Sequence, residues 1–155
     1  MHATTNTFYV AVIGGAEAGA EVERDAETIG RELAAAGAIV VTGGRGGVMA
    51  AASRGAASAD GICVGILPGT ERGEANEWVT VAIPTGLGEL RNGLVVRAAD
   101  VVVALGGAYG TLSEIALALR AGTPVVGLET WEIHGVERAD SATAAVARAL
   151  ELAHR

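Results

Sequence analysis

The strongest constraint on the fold comes from residues 98–128, AADVVVALGGAYGTLSEIALALRAGTPVVGL, which carry the signals of a strand, a helix and a second strand in succession. The apolar run at 101–105 predicts a buried parallel strand. Glycines then form a turn, and apolar residues recur at helical spacing until Gly122 ends the helix before a second apolar run at 125–128. A helix that begins directly after a strand leaves free backbone N–H groups at the carboxyl edge of the sheet, where phosphates bind.

Strands and helices alternate in the same way along the rest of the chain. Strands are predicted at 8–13, 38–41, 62–67 and 79–83, and helices after Gly15, at 48–59, at 90–99 and from a cap at Asp140 or Ser141 to Leu152. Residues 129–140 predict an irregular connection. Strand 100–105 is expected beside strand 8–13, and strand 79–83 towards an edge. Because no linker or repeat interrupts this alternation, we expect one Rossmann-like domain over residues 1–155, a three-layer α/β/α structure with a mainly parallel sheet.

Composition narrows the partners and the compartment. Half of the residues are hydrophobic and only 3% are aromatic, which favours a layered α/β protein over a β-sandwich. The net charge of −7 and the lack of a basic run argue against nucleic acid or an anionic membrane as a partner. The single cysteine, Cys63, excludes a disulfide framework and is expected in the core. No signal peptide or long apolar span is visible, so a cytoplasmic protein is expected.

Glycine-rich loops follow three of the predicted strands, at Gly14-Gly15, at 42–47 and at 106–111. One such loop is weak evidence because tight strand-to-helix turns favour glycine anyway, but three on one rim favour a ligand that carries a phosphate. The sequence lacks G-x-x-x-x-G-K-[ST], which excludes a P-loop nucleotidase. A dehydrogenase is also disfavoured, because the first loop is not G-x-G-x-x-G and the second strand ends in Thr42-Gly43 instead of an acidic residue.

Three charged residues stand near these loops. Arg45 lies inside the second glycine loop, where it is either a phosphate ligand or an exposed, solubilising side chain. Arg91 begins a predicted helix, a position where a cation opposes the helix dipole and which therefore favours a ligand-facing role. Glu114 has two interpretations: a functional carboxylate, or the third residue of a capping box in which Thr111 is the N-cap.

The histidines and tryptophans of the sequence indicate neither a metal site nor a ligand-stacking site. His2, His134 and His154 are scattered through the sequence and form no metal-binding pattern. Trp78 and Trp131 are interpreted as packing or subunit-contact residues in preference to ligand platforms.

The glycine loops resemble those of a known family. Residues 106–114, GGAYGTLSE, are similar to the P-G-G-x-G-T-x-x-E motif of the LONELY GUY (LOG) family, once called possible lysine decarboxylases. Residues 42–49 resemble its earlier glycine loop, and residues 65–68, GILP, resemble the end of its third strand. Within this superfamily the closer resemblance is to the molybdenum cofactor carrier branch, which has G-G-G-Y-G-T-L-S-E and a glycine-led segment ending in Arg-Asn, here GLGELRN at 86–92.

The resemblance implies two competing activities. LOG enzymes hydrolyse the N-glycosidic bond of nucleoside 5′-monophosphates, and their arginine and glutamate correspond to Arg91 and Glu114, the catalytic residues under that interpretation. The chain departs from the enzyme pattern at Asn92, where the enzymes have lysine, and at 88–90, where they have M-H-E. It also departs at Gly106 and Ala108, which replace a proline and a glycine. The resemblance further implies a dimer or a tetramer.

These observations favour a carrier for a phosphate-bearing ligand, with the molybdenum cofactor as the first candidate for cargo and no cofactor required. A phosphoribohydrolase is the alternative activity, and a lysine decarboxylase is not expected. A third hypothesis is a structural oligomer that keeps an inherited, empty cleft. The predicted ligand-binding residues are Gly14, Gly15, Gly43, Gly44, Arg45, Gly46, Gly47, Met49, Arg91, Asn92, Gly106, Gly107, Ala108, Tyr109, Gly110, Thr111 and Glu114, with no metal ligand among them.

Overall fold

The computed structural model describes residues 7–155, so the expectation for His2 lies outside the described residues. Its sheet has seven parallel strands in the order β4-β3-β2-β1-β5-β6-β7. The strands are β1 Tyr9–Gly14, β2 Ile39–Thr42, β3 Cys63–Leu67, β4 Val81–Pro84, β5 Val101–Leu105, β6 Val125–Leu128 and β7 Val136–Arg138. The helices are α1 Ala20–Ala35, α2 Val48–Ser58, α3 Arg91–Arg97, α4 Tyr109–Arg120 and α5 Ala142–Ala153, with 3-10 turns at Arg72–Glu74 and Gly88–Leu90.

The two faces of the sheet explain the continuous apolar runs of the central strands. Val10 and Val12 of β1 belong to the core that the sheet forms with α1, α2 and α5, whereas Ala11 and Ile13 belong to the core formed with α3 and α4. Strand β5 is buried at all five positions for the same reason. Strands covered on both sides need apolar residues at every position, so the Rossmann-like three-layer prediction is confirmed.

Two of the predicted strand placements are correct. Strand β1 lies beside β5, with Val10 paired to Val101, and β4 lies at an edge of the sheet. The edge strand begins at Val81, two residues later than predicted. The interpretation of residues 129–140 as an irregular connection was wrong in part, because they contain the short strand β7, which pairs with β6.

Helices α1 and α2 cross at unusually close range through two glycines. A Cβ atom on Gly30 would lie 2.0 Å from the carbonyl oxygen of Ala52, and one on Gly55 would lie 2.0 Å from that of Glu27. Any side chain at either position would force the helices apart. This packing places α2, and with it the second glycine loop, firmly against the sheet.

Other structural expectations hold. Ser141 caps α5, its hydroxyl accepting a hydrogen bond from the amide of Ala144 at 3.1 Å. Cys63 is fully buried, and burial raises the pKa of its thiol. The structure also shows a role for Asp100, whose carboxylate accepts a hydrogen bond from the Tyr9 amide at 2.9 Å and so ties the start of β5 to β1. Over residues 7–155, every helix is too short or too polar to cross a membrane.

Candidate functional site

The first two glycine loops touch each other at the carboxyl edge of the sheet. The amide of Val48, at the start of α2, donates a hydrogen bond of 3.1 Å to the carbonyl oxygen of Gly15. Gly47 has a φ of +61°, and a Cβ there would lie 2.2 Å from that same oxygen. Gly14, at the end of β1, is equally crowded, because its Cβ would lie 2.7 Å from the Leu105 carbonyl oxygen of β5. The first two loops therefore converge as predicted, and glycine is required where they meet.

The third loop opens the long helix α4 without a capping side chain. The helix begins at Tyr109 with Ala108 as its N-cap, and no side chain accepts a hydrogen bond from its first turn. The capping-box interpretation of Thr111 and Glu114 was therefore wrong, since both residues lie inside the helix. Gly107 has a φ of +98°, and a Cβ there would lie 2.2 Å from Thr111 Oγ1. The first-turn N–H groups of α4 consequently keep their capacity to bind an anion.

The segment that follows β6 holds this third loop in place. Thr130 Oγ1 donates a 2.7 Å hydrogen bond to the carbonyl oxygen of Gly106, and the indole Nε1 of Trp131 donates a 3.2 Å bond to that of Ala108. The Trp131 ring also stacks on Tyr109, with centroids 6.2 Å apart and planes inclined by 28°. Sequence reasoning missed this role of Trp131, because nothing in the sequence indicates that residue 131 returns to the loop after β5.

Arg91 links the start of α3 to the second glycine loop. Its Nη2 donates to the Gly43 carbonyl oxygen at 3.5 Å and lies 4.0 Å from Met49 Sδ, while Nη1 donates to Oδ1 of Asn92. A Cβ on Gly43 would lie 2.7 Å from Nη2, so glycine makes room for the guanidinium. Within the described chain, Nε of Arg91 is buried and has no hydrogen-bond partner. Three residues predicted from the sequence thus meet around the Arg91 guanidinium, which retains a free donor.

Glu114 is the second unusual charge of the site. The side chain is 7% exposed, and its carboxylate accepts no hydrogen bond from any residue in the described range 7–155. Burial raises the pKa of Glu114 to about 7, although the positive charge of Arg91 acts in the opposite direction. Burial also lowers the pKa of Arg91, against the attraction of Glu114. A carboxyl group that is half protonated near neutral pH can donate or accept a proton, or donate a hydrogen bond to a ligand.

Arg45 is the most exposed of the three charged residues that were predicted for the site. Its guanidinium lies 3.5 Å from the carboxylate of Glu74, so a phosphate ligand would compete with Glu74 for it. Asn76 fixes the backbone of the same loop. Its backbone N–H donates to the Gly44 carbonyl oxygen at 2.9 Å, and its side-chain Nδ2 donates to the Arg45 carbonyl oxygen at 2.9 Å. Asn76 was not predicted, because it belongs to the polar loop 70–77, which is remote from the glycines in sequence.

A cleft of about 720 Å³ opens beside these residues, between α3 and α4. Predicted residues that line it are Arg91, Asn92, Tyr109 and Gly110. Asn92 Nδ2 spans the two helices to Ser113 Oγ at 3.4 Å. Gly46 of the second loop also faces the first loop, because a Cβ atom on Gly46 would lie 3.5 Å from the carbonyl oxygen of Ala16. The predicted residues named in these contacts therefore lie near one another at the carboxyl edge of the sheet.

The histidines do not join this region as metal ligands. His154 packs edge-on against Phe8, with ring centroids 4.4 Å apart, and His134 lines a separate cavity next to β7. In the part of the chain that the structure describes, no group of three or more histidine, cysteine or acidic residues is arranged to hold a metal ion.

The parallel sheet and its glycine loops at one edge define a Rossmann-like α/β protein of the LOG-like type. The model of the SLOG cluster4 family matches residues 7–153, nearly the whole chain. The chain therefore belongs to the SLOG cluster4 family, and the resemblance seen in its glycine motifs is confirmed.

Relatives and solved structures agree with this assignment. An uncharacterized protein of Archaeoglobus fulgidus is 39% identical over 120 residues, which cover 77% of this chain and 79% of the relative. The molybdenum cofactor binding protein of Rippkaea orientalis superposes with a TM-score of 0.90 at 33% identity, over 96% of this chain and 99% of that one. The molybdenum cofactor carrier protein of Chlamydomonas reinhardtii superposes with a TM-score of 0.89 at 33% identity, over 97% of this chain and all of that one.

Proposed function

We propose that the chain is a cytoplasmic carrier that binds a phosphate-bearing small molecule, with the molybdenum cofactor as its cargo. The observation that carries this proposal is the superposition of nearly the whole chain on the carrier of Chlamydomonas reinhardtii and the binding protein of Rippkaea orientalis. The cofactor is cargo in this proposal, which includes no resident cofactor.

The site offers several groups suited to an anionic cargo. The uncapped first turn of α4 presents backbone N–H groups and the positive end of a helix dipole. Arg91 supplies a guanidinium with a buried donor that has no partner in the described chain. Glu114, protonated in part at neutral pH, lets an anion approach without the full repulsion of a carboxylate. The predicted glycines allow close approach of the backbone, because side chains would occupy the space between the loops.

A binding measurement tests the carrier proposal. The purified chain is titrated with molybdopterin under anaerobic conditions, and complex formation is followed by co-elution on gel filtration and by the rise in melting temperature. We expect a stable complex whose affinity falls in Arg91→Ala and is unchanged in Arg24→Ala, an exposed arginine of α1. A chain that neither retains molybdopterin nor is stabilised by it is not a carrier of this cargo.

The phosphoribohydrolase remains a second candidate because one observation favours it. The pKa of Glu114 is about 7, which suits a general acid or base at neutral pH, and Arg91 lies close enough to affect it. Against this activity stand Asn92, where the enzymes have lysine, and the altered segment 88–90. Incubation with AMP should release negligible adenine and ribose 5-phosphate. Robust hydrolysis that is lost in Glu114→Gln would instead establish the enzyme.

We also propose that the chain forms a dimer or a tetramer through the outer surface of α3 and α4. Four leucines there are well exposed: Leu87 at 47%, Leu90 at 77%, Leu94 at 42% and Leu117 at 42%. A patch of this kind on one surface is typical of a subunit contact. A structural oligomer with an empty cleft would share this surface, but no phosphate compound would change its melting temperature.

A further inference from the structure

A second hollow region lies beside the third glycine loop, and Arg91 is not among the residues that line it. A cavity of about 460 Å³ opens after β6, and its lining includes Glu129, Trp131, Glu132, Ile133, His134 and Arg138. A smaller hollow of about 240 Å³ lies between it and the loop, lined by Gly106 and Gly107 and sharing Glu129, Thr130 and Trp131 with the larger one. Because they share these three lining residues, the two hollows adjoin each other between the glycine loop that precedes α4 and strand β7.

An aromatic platform stands at the entrance of this path. Tyr109 and Trp131 stack in an offset manner, and the 6.2 Å between their centroids lies in the favourable range for such pairs. Tyr109 is 80% exposed although it is the first residue of a helix in the centre of the predicted site. Trp131 is held by its hydrogen bond to Ala108. A stacked pair that is fixed in place and open to solvent offers a flat surface to a second ring.

Glu129 adds a polar group at the same entrance. Its φ is +50°, in the left-handed region that residues with side chains rarely adopt and that is often found at functional sites. Glu129 lines both hollows and makes no ion pair with any residue in the described chain, whereas Glu132 lies 3.5 Å from Arg138. An unpaired carboxylate accepts hydrogen bonds from N–H donors. A heterocycle edge with an amide N–H and an amine, as in guanine and pterins, presents such donors.

We propose that the head group of the ligand is a planar nitrogen heterocycle that stacks on Tyr109 and Trp131 and directs an amide-and-amine edge to Glu129. This inference rests on the proposed function, since the phosphate of the same ligand occupies the start of α4. It assigns the head group to the Trp131 side of the glycine loop, while the exposed Leu87, Leu90 and Leu94 remain the proposed subunit contact. It also replaces the interpretation of Trp131 as a packing or subunit-contact residue.

Fluorescence titration of the full chain tests this assignment. The two tryptophans are Trp78 and Trp131, so Trp78→Phe leaves Trp131 as the only indole reporter. GMP and ribose 5-phosphate serve as probes: both carry a phosphate, and only GMP carries the heterocycle. We expect GMP to bind about tenfold more tightly than ribose 5-phosphate and to quench Trp131, whereas ribose 5-phosphate binds without quenching.

Variants separate the head-group contact from the phosphate contact. Trp131→Ala should weaken GMP about tenfold and ribose 5-phosphate much less, since ribose 5-phosphate loses only the support that Trp131 gives to the loop through Ala108, and Trp131→Phe should restore most of the GMP loss because a ring remains. Glu129→Gln should weaken GMP several-fold without weakening ribose 5-phosphate. Trp78→Ala is the matched control, because Trp78 is also half-buried and contacts Arg54 at 5.2 Å, outside both hollows.

The outcomes distinguish this inference from the proposed function. If both probes bind equally well and Trp131→Ala affects them equally, the head-group site is wrong while phosphate binding stands. If GMP binds tightly without quenching Trp131, the heterocycle lies elsewhere and the inference is again overturned. If neither probe nor molybdopterin binds the parent chain, the proposed function fails, and the head-group site fails with it.

Discussion

The guanidinium of Arg91 lowers the pKa of the Glu114 carboxyl group, yet burial outweighs this attraction and leaves that pKa at about 7. Each group also acts on the other, since burial lowers the pKa of Arg91 while Glu114 raises it. Neither charge is fully compensated within the described chain: Nε of Arg91 has no hydrogen-bond partner, and the carboxyl group of Glu114 has none. Buried charges without full hydrogen bonding lower the stability of the protein until a ligand supplies the missing partners. Such uncompensated charges are typical of a functional site.

This relationship predicts a specific pH dependence of stability. The pKa of Glu114 is about 7 in the folded protein, against 4.5 for an ordinary glutamate, so the folded state holds a proton that the unfolded state has released. The stabilisation from this proton is complete below pH 4.5 and is lost as the pH rises through 7. Relative to Glu114→Gln, the parent should lose about 2–3 kcal/mol of unfolding free energy between pH 5 and pH 8.

Denaturant unfolding of both proteins at each pH measures this loss. The difference between the two curves isolates Glu114 from the other carboxylates. Glu89→Gln, which removes an exposed carboxylate just before α3, is the control for the loss of one negative charge at the surface. A parent that gains stability over this range relative to Glu114→Gln would contradict the buried, protonated state.

The two arginines of the site are expected to contribute unequally to anion binding. Arg91→Ala should weaken a phosphate-bearing ligand by about 1.5–3 kcal/mol, the value of direct hydrogen bonds to a charged group. Arg45 is half-exposed and already paired with Glu74, so Arg45→Ala should cost less than Arg91→Ala. Calorimetric titration with molybdopterin measures both, and Glu74→Gln should strengthen binding by freeing Arg45. Equal affinity of the parent and both arginine variants would show that the ligand lies elsewhere.

The central part of the fold was predictable because its signals are local. The apolar run of β5, the glycines after it and the helical spacing of α4 are adjacent in sequence, and both faces of β5 are covered, so no polar position interrupts the run. Strand β7 was missed for the opposite reason. It has three residues, Val136 is only half-buried, and Glu137 and Arg138 are exposed, so neither an apolar run nor an alternation marks it.

The site was predictable where glycine spacing determines it and not where tertiary contacts do. The Thr-x-x-Glu pattern at 111–114 matched a capping box, but the backbone turns into the helix already at Ala108, which places Glu114 on the buried side. Asn76 and Trp131 reach the glycine loops from segments about 30 and 20 residues away in sequence, a contact no local pattern encodes.

The close crossing of α1 and α2 predicts a steep stability penalty for a very small change. Gly30→Ala places a methyl group 2.0 Å from the Ala52 carbonyl oxygen, which is backbone and cannot rotate away. The variant should lose about 1–3 kcal/mol of unfolding free energy, or more if the helices cannot separate. Gly93→Ala in α3 is the control, because its nearest neighbour is Leu117 at 4.0 Å, and there alanine should be neutral or stabilising. Equal stability of Gly30→Ala and the parent would show that the helices do not pack so closely.

The exposed leucines of α3 and its preceding turn predict how the chain assembles. Leu90 is 77% exposed and lies next to Leu87 and Leu94, so a second copy could cover all three at once. We expect sedimentation of the parent as a dimer or tetramer of the 15.5 kDa chain, and a shift of Leu90→Glu to the monomer, because an unpaired carboxylate at a buried contact is strongly unfavourable. Ile62→Glu is the matched control: Ile62 is 46% exposed just before β3 and should leave the assembly intact. A parent that sediments only as a monomer at high concentration, or an assembly that Leu90→Glu leaves unchanged, would exclude this surface as the contact.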